Sequence, residues 1–110
     1  MALIDGLETC LAEMAKRGET ITYGELARDL GIVGPGTIAR LTKALEATMA
    51  DDWAAGRPFR AALCVGRLSG GLPAPGFFHT ARALGRYLGS PDGPEAEAFV
   101  RAERSALSES

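Results

Sequence analysis

Leu3, Ile4, Leu7, Leu11 and Met14 recur at the spacing of one helical face, with Asp5, Glu8, Glu13 and Lys16 elsewhere. The pattern predicts an amphipathic helix over residues 2–17 that Gly18 stops. In Ile21-Thr22-Tyr23-Gly24-Glu25-Leu26, Thr22 stands as N-cap and Glu25 three positions into the helix, the spacing of a capping box, with Ile21 and Leu26 at the staple positions. A short helix should therefore begin at Tyr23, run through Leu26, Ala27 and Leu30, and close at Gly31. Gly34-Pro35-Gly36 reads as a turn, with Thr37 placed to cap a longer helix whose Ile38, Leu41, Leu45, Met49 and Trp53 form one stripe. Gly56-Arg57-Pro58 breaks that helix. The apolar run Phe59 to Val65 predicts a short strand, and the glycine- and proline-rich stretch Gly66 to Gly76 a loop or ribbon after it. Phe77, Ala81, Leu84 and Leu88 return to helical spacing, and Pro91-Asp92-Gly93-Pro94 leads into a last helix around Glu95 to Leu107, with Ser108-Glu109-Ser110 fraying.

These elements make a mainly α (α+β) chain. Its order, with a short capped helix, a turn, a longer helix, a strand and a glycine-rich loop, is that of a winged helix-turn-helix domain followed by a C-terminal helix. With 110 residues, 46% hydrophobic and 24% charged, the expected organisation is a single domain over 1–110, a winged-helix-like core over 20–88 and a C-terminal helix and tail over 91–110. That composition excludes disorder and fibrous architectures. Cys10 and Cys64 show no metal or disulfide spacing and His79 is the lone histidine, so neither metal nor cofactor is expected. No stretch reaches the length of a membrane span, and acids rather than bases occupy the N-terminal segment; the expectation is a soluble, cytoplasmic protein without a membrane partner.

Charge is uneven along the chain. Residues 1–52 carry nine acids against five bases, residues 92–110 five acids against two, whereas residues 53–91 hold Arg57, Arg60, Arg67, Arg82, Arg86 and no acid. Arginine favours planar anions because its guanidinium fork binds them bidentately, so a phosphate-binding patch is one expectation.

The segment Ile21-Thr22-Tyr23-Gly24-Glu25-Leu26-Ala27 resembles the T-Y-G-[DE]-[IL]-A segment in the DNA-binding domain of O6-alkylguanine-DNA alkyltransferases and alkyltransferase-like proteins. Lys43-Ala44-Leu45 falls where that family has its recognition helix, Pro58-Phe59-Arg60-Ala61 near its P-[CW]-H-R-V segment, and Gly66-Arg67 through Pro75-Gly76-Phe77 resembles its following loop. The resemblance spans roughly residues 20 to 85. Phe59 stands at the nucleophile position, Arg60 at the histidine and Ala61 at the arginine, so alkyl transfer is not implied. Ala39 occupies the position of the arginine that enters the helix stack in the alkyltransferase-like proteins, with Arg40 one residue late. The pairing of TYGELA with the Leu72-Pro73-Ala74-Pro75-Gly76-Phe77 loop also resembles one found in small bacterial proteins.

Two functions follow as expectations, both non-catalytic. The first is nucleic-acid binding, mainly through phosphate, by Tyr23, Thr37, Arg40, Lys43, Arg60 and Arg67, with DNA the possible partner. Arg40 and Lys43 share a side of the helix, while Glu46, Asp51 and Asp52 make its far end acidic and restrict docking to its N-terminal end. The second is a protein-interaction module whose Leu68–Phe78 loop exposes Leu72, Phe77 and Phe78 to a protein partner. Cys64 reads as a buried apolar residue rather than a nucleophile, and Phe59, Phe77, Phe78 and Tyr87 as core rather than base-stacking platforms.

Overall fold

A computed structural model describes residues 4–67 and 70–109. In chain order these form α1 (Leu7–Arg17), β1 (Ile21–Thr22), α2 (Tyr23–Asp29), α3 (Thr37–Ala55), a 3-10 turn (Arg60–Leu63), β2 (Cys64–Val65), α4 (Pro75–Leu84) and α5 (Gly93–Glu109). The fold is mainly helical, with one small sheet in which β1 and β2 run parallel, Ile21 opposite Cys64 and Thr22 opposite Val65. Parallel strands need a crossover, and here α2 and α3 supply it.

The capping box forms as its residues require. Glu25 N–H donates to Thr22 Oγ1 at 3.1 Å, and Thr22 N–H donates to Glu25 Oε1 at 3.1 Å. These bonds from Thr22 hold the Glu25 carboxyl below its ordinary range. At the other end of α2, Gly31 adopts φ 70°, its N–H reaching Arg28 O while Ile32 N–H reaches Ala27 O, which is a Schellman closure.

Several boundaries differ from the sequence expectation, each for a local reason. The first helix starts at Leu7 rather than residue 2, because Gly6 sits at φ 87°; the expected positions 2 and 3 lie outside the described residues. Thr37 does not cap the third helix. Gly36 holds the cap position at φ 74°, and Thr37 turns its hydroxyl back to Gly34 O at 2.6 Å. The buried stripe of α3 is Leu41, Ala44, Leu45, Thr48, Met49 and Asp52, so both ends of the expected stripe, Ile38 and Trp53, face water. The expected strand over 59–65 is a 3-10 turn followed by only two strand residues. The fourth helix begins at Pro75, whose missing N–H costs nothing in a first turn, and Gly85 ends it before Leu88, which is exposed. The fifth starts at Gly93, two residues early, and holds Ser108 and Glu109 in helix; Ser110 lies outside the described residues.

One core serves the described residues, drawing on α1 and α5 as well as on the 20–88 region. The 3-10 turn is its hub: α1, α3 and α5 all pack on Ala61, Ala62 and Leu63, which are buried. The C-terminal helix is thus an integral part of the core, not an appendage. No ribbon follows β2 among the described residues, Leu68 and Ser69 lying outside them, and the connection from α2 to α3 is longer than a tight helix-turn-helix turn. If the capping box fixes the start of α2, Thr22→Ala should lower stability by about 1 kcal/mol in urea unfolding; an unchanged midpoint would show that the box contributes nothing.

Candidate functional site

The arginine-rich block does not make one free patch. Asp52, on the inner face of α3, is fully buried at 0% exposure and draws the neighbouring cations to itself. Its Oδ1 accepts from Arg57 Nε at 3.1 Å and from Arg60 Nε at 2.9 Å, and its Oδ2 accepts from the Arg60 backbone N–H at 2.9 Å. Arg60 Nη2 also lies 2.9 Å from Oδ1, outside hydrogen-bond geometry, so that contact is purely ionic. Arg60 Nη1 reaches Glu8 on α1 at 3.2 Å. Burial alone would weaken the Arg60 guanidinium's hold on its proton; the bonds and charges of Asp52 and Glu8 outweigh it and raise its pKa.

Glu103 of α5 completes the arrangement. Its Oε1 accepts from Phe59 N–H at 3.1 Å and from Arg86 Nη1 at 3.0 Å, and Arg86 also donates to Arg57 O at 2.8 Å. The Arg86 guanidinium carbon stands 4.0 Å from the Phe59 ring centroid and 5.3 Å from that of Trp53. Two remote carboxylates therefore satisfy the first N–H groups of the 3-10 turn, which no local side chain caps. Arg82 is likewise engaged, donating to the Leu88 and Gly89 carbonyls.

Of the six candidate interface residues, Thr37, Arg40 and Lys43 lie together on the first two turns of α3. Arg40 and Lys43 are exposed, Arg40 with one Nη on Val33 O at 2.6 Å and Lys43 with no partner among the described residues. Arg67 is exposed in the turn after β2. Arg60 is committed elsewhere, and Tyr23 is partly withdrawn. Arg60 is held in the Asp52 cluster, and Tyr23 is half-buried with its hydroxyl oxygen accepting Ala74 N–H at 3.0 Å. Burial pushes the Tyr23 hydroxyl up to about 12 against the pull of that bond.

The acids expected to repel DNA along α3 are largely removed from solvent. Asp52 is paired inside the cluster, and Glu46, half-buried, turns toward the start of α4, where its Oε2 lies 3.7 Å from where a Cβ added to Gly76 would stand. Only Asp51 stays exposed. The first turn of α3 itself carries no acid and no side-chain cap. Two exposed apolar residues stand at this end, Val33 at 80% exposure in the preceding loop and Ile38 at 48% in the first turn itself.

The Leu68–Phe78 loop does not expose the aromatic residues expected to meet a protein partner. Phe77 and Phe78 are buried in the aromatic cluster with Phe59, Tyr87 and Phe99, and Leu72 is half-buried, so the loop presents no aromatic anchor; Leu68 lies outside the described residues. Cys64 is buried, which pushes its thiol up to about 12, while His79 is exposed on α4. Among the described residues no group of His, Cys, Asp and Glu could hold a metal, and no helix is long and apolar enough to cross a membrane.

No family model matches the chain, and comparison with curated proteins and solved structures found none similar to it. The alkyltransferase-like resemblance thus stands on its short sequence segments alone.

Sequence reasoning placed Asp52 only among repulsive acids. The signal for its true setting was its position eleven residues after Leu41, on the same buried face of α3 as Leu45 and Met49. Removing one partner of a buried ion pair leaves the other charge uncompensated, so Asp52→Ala should cost about 3–5 kcal/mol in chemical unfolding. Asp51→Ala, on the exposed neighbour, should stay within about 0.5 kcal/mol; equal effects would contradict the special role of Asp52.

Proposed function

We propose that the protein is a small, non-catalytic, winged-helix-like nucleic-acid-binding protein that docks by the N-terminal end of α3, mainly on phosphate. The observation that carries this reading is the composition of that end. Its first turn has free backbone N–H groups, no acid and no side-chain cap, and Arg40 and Lys43 project into solvent from its first two turns. Uncapped N–H groups and the positive end of the helix dipole favour phosphate oxygens, and two neighbouring cations add counterion release. Arg67 extends the basic surface if the nucleic acid reaches the turn after β2. Thr37 contributes its backbone N–H rather than its hydroxyl, which Gly34 occupies. Arg60 leaves the proposed interface because its guanidinium is engaged by Asp52 and Glu8, and Tyr23 is half-buried with its hydroxyl oxygen taken by Ala74 N–H, which leaves only its O–H proton to donate.

A protein-partner reading has less to stand on, since the aromatic residues that would anchor a partner on the Leu68–Phe78 loop are buried. The cationic end of α3 supports the nucleic-acid reading over it.

Binding of short fluorescent duplex DNA should appear at low ionic strength and fall steeply with salt, with a log–log slope of about −0.9 for each phosphate neutralised. Arg40→Glu combined with Lys43→Glu should abolish it while leaving the melting midpoint unchanged. Salt-independent binding, binding that survives the double reversal, or none at low salt would overturn the reading.

A further inference from the structure

The last turns of α1 and α5 and the segment that leaves α3 enclose a cavity of about 290 Å³, remote in sequence from the start of α3. Leu11, Ala15, Pro58 and Leu107 form its apolar walls, and its cations are Lys16, Arg57 and Arg60; no acidic side chain lines it. Two of those cations retain capacity for a ligand. Arg57 gives only its Nε to Asp52 and is about half exposed, and Lys16 is exposed with no ion pair among the described residues. Arg60, by contrast, is spent on Asp52 and Glu8 and fixes the wall.

Three helix C-termini approach this cavity, and their carbonyls would repel an anion if left bare. Two of the three are closed by backbone. In α1, Gly18 N–H bonds Ala15 O and Glu19 N–H bonds Met14 O; in α3, Gly56 N–H bonds Trp53 O and Arg57 N–H bonds Asp52 O. The Lys16 ammonium and the Arg57 Nη groups are therefore not hydrogen-bonded to the carbonyls of these two helix ends and keep their N–H donors for a ligand. An apolar recess with a cationic mouth and no carboxylate suits one chemistry, an apolar chain that ends in a carboxylate. The chain replaces water on the leucine walls, and the guanidinium and ammonium share the two carboxylate oxygens.

We propose that this cavity binds a medium-chain carboxylate, with the hydrocarbon against Leu11 and Leu107 and the carboxylate held between Lys16 and Arg57. Its volume sits at the small end for ligand pockets, which sets the chain at about eight to ten carbons. This site is independent of the nucleic-acid reading, because none of its lining residues belongs to the proposed interface on α3.

Sodium decanoate titrated into the full chain, followed by calorimetry and by amide resonances, tests it. Saturable one-to-one binding is expected, with shifts centred on Leu11, Ala15 and Leu107. Lys16→Glu should weaken it about tenfold by replacing a charge-assisted bond with repulsion. Ala12→Phe, at an exposed position in the cavity wall, should block the hydrocarbon, and decyltrimethylammonium, with the same chain and the opposite charge, should not bind. Both variants alter exposed side chains, and wild-type melting midpoints would certify their fold. Absence of saturable binding, equal binding of the cationic analogue, or decanoate affinity unchanged in both variants would overturn the proposal.

Discussion

A carboxylate without access to water must find its donors inside the protein, and Asp52 finds three of them within Arg57–Arg60. Leaving such a charge unpaired would cost several times the stabilisation of an ordinary hydrogen bond. The chain leaving α3 must therefore fold back over its own last turns, since Arg60 offers both its amide and its guanidinium only in that position. Once Arg60 is fixed, Ala61, Ala62 and Leu63 are delivered to the centre of the core, where α1, α3 and α5 converge on them. Cys64 and Val65 then fall beside Ile21 and Thr22, so the parallel pair is a consequence of the same constraint.

The cluster also sorts the charges of the molecule. Five arginines in a segment without acids suggested a surface for anions, yet Arg57, Arg60 and Arg86 are gathered round Asp52 and Glu103 from other parts of the chain. Arg104 of α5 is drawn inward in the same way, spanning Ala62 O and Gly71 O at 2.8 and 2.9 Å, with burial lowering its pKa. What remains for a partner is smaller and elsewhere. The start of α3 keeps two exposed cations beside bare backbone N–H groups, and the apolar recess between α1 and α5 keeps Lys16 and part of Arg57.

Local chemistry made much of the fold legible. The Thr22/Glu25 box, the glycines at 18, 31 and 56, and the 7, 11, 14 spacing of α1 each act over a few residues, so each could be read where it stands. The apolar run 59–65 could not be read that way. Its residues have the composition of a strand, but Asp52 and Glu103 bond the amides of Arg60 and Phe59 from eight and forty-four residues away and wind the start of the run into a 3-10 turn. Tertiary carboxylates overrode local preference there. The same distance hid the fate of the arginines: Arg60 reads as available because Glu8 lies on a different helix. Phe77, read as core, is core, its ring meeting Phe59 and Phe99 from far along the chain, and the loop anchor read at the same residue is what fails. Arg40 and Lys43, three residues apart on one helix, are placed on the same side of it by spacing alone, although the bond from Arg40 to Val33 O in the preceding loop is not legible that way.

Native-state hydrogen exchange at the Arg60 amide tests most directly whether Asp52 organises this protein. That amide is bonded to a buried carboxylate in a short 3-10 turn, a class of structure that ordinarily opens locally. If Asp52 holds the turn to the core, this amide exchanges only through global unfolding, with the same opening free energy as the amides of Leu41 and Leu45 in α3. Exchange through a much cheaper local opening, while α3 stays protected, would contradict that role: the turn would then be a surface feature resting on the core, and Asp52 would not be what holds the helices to it.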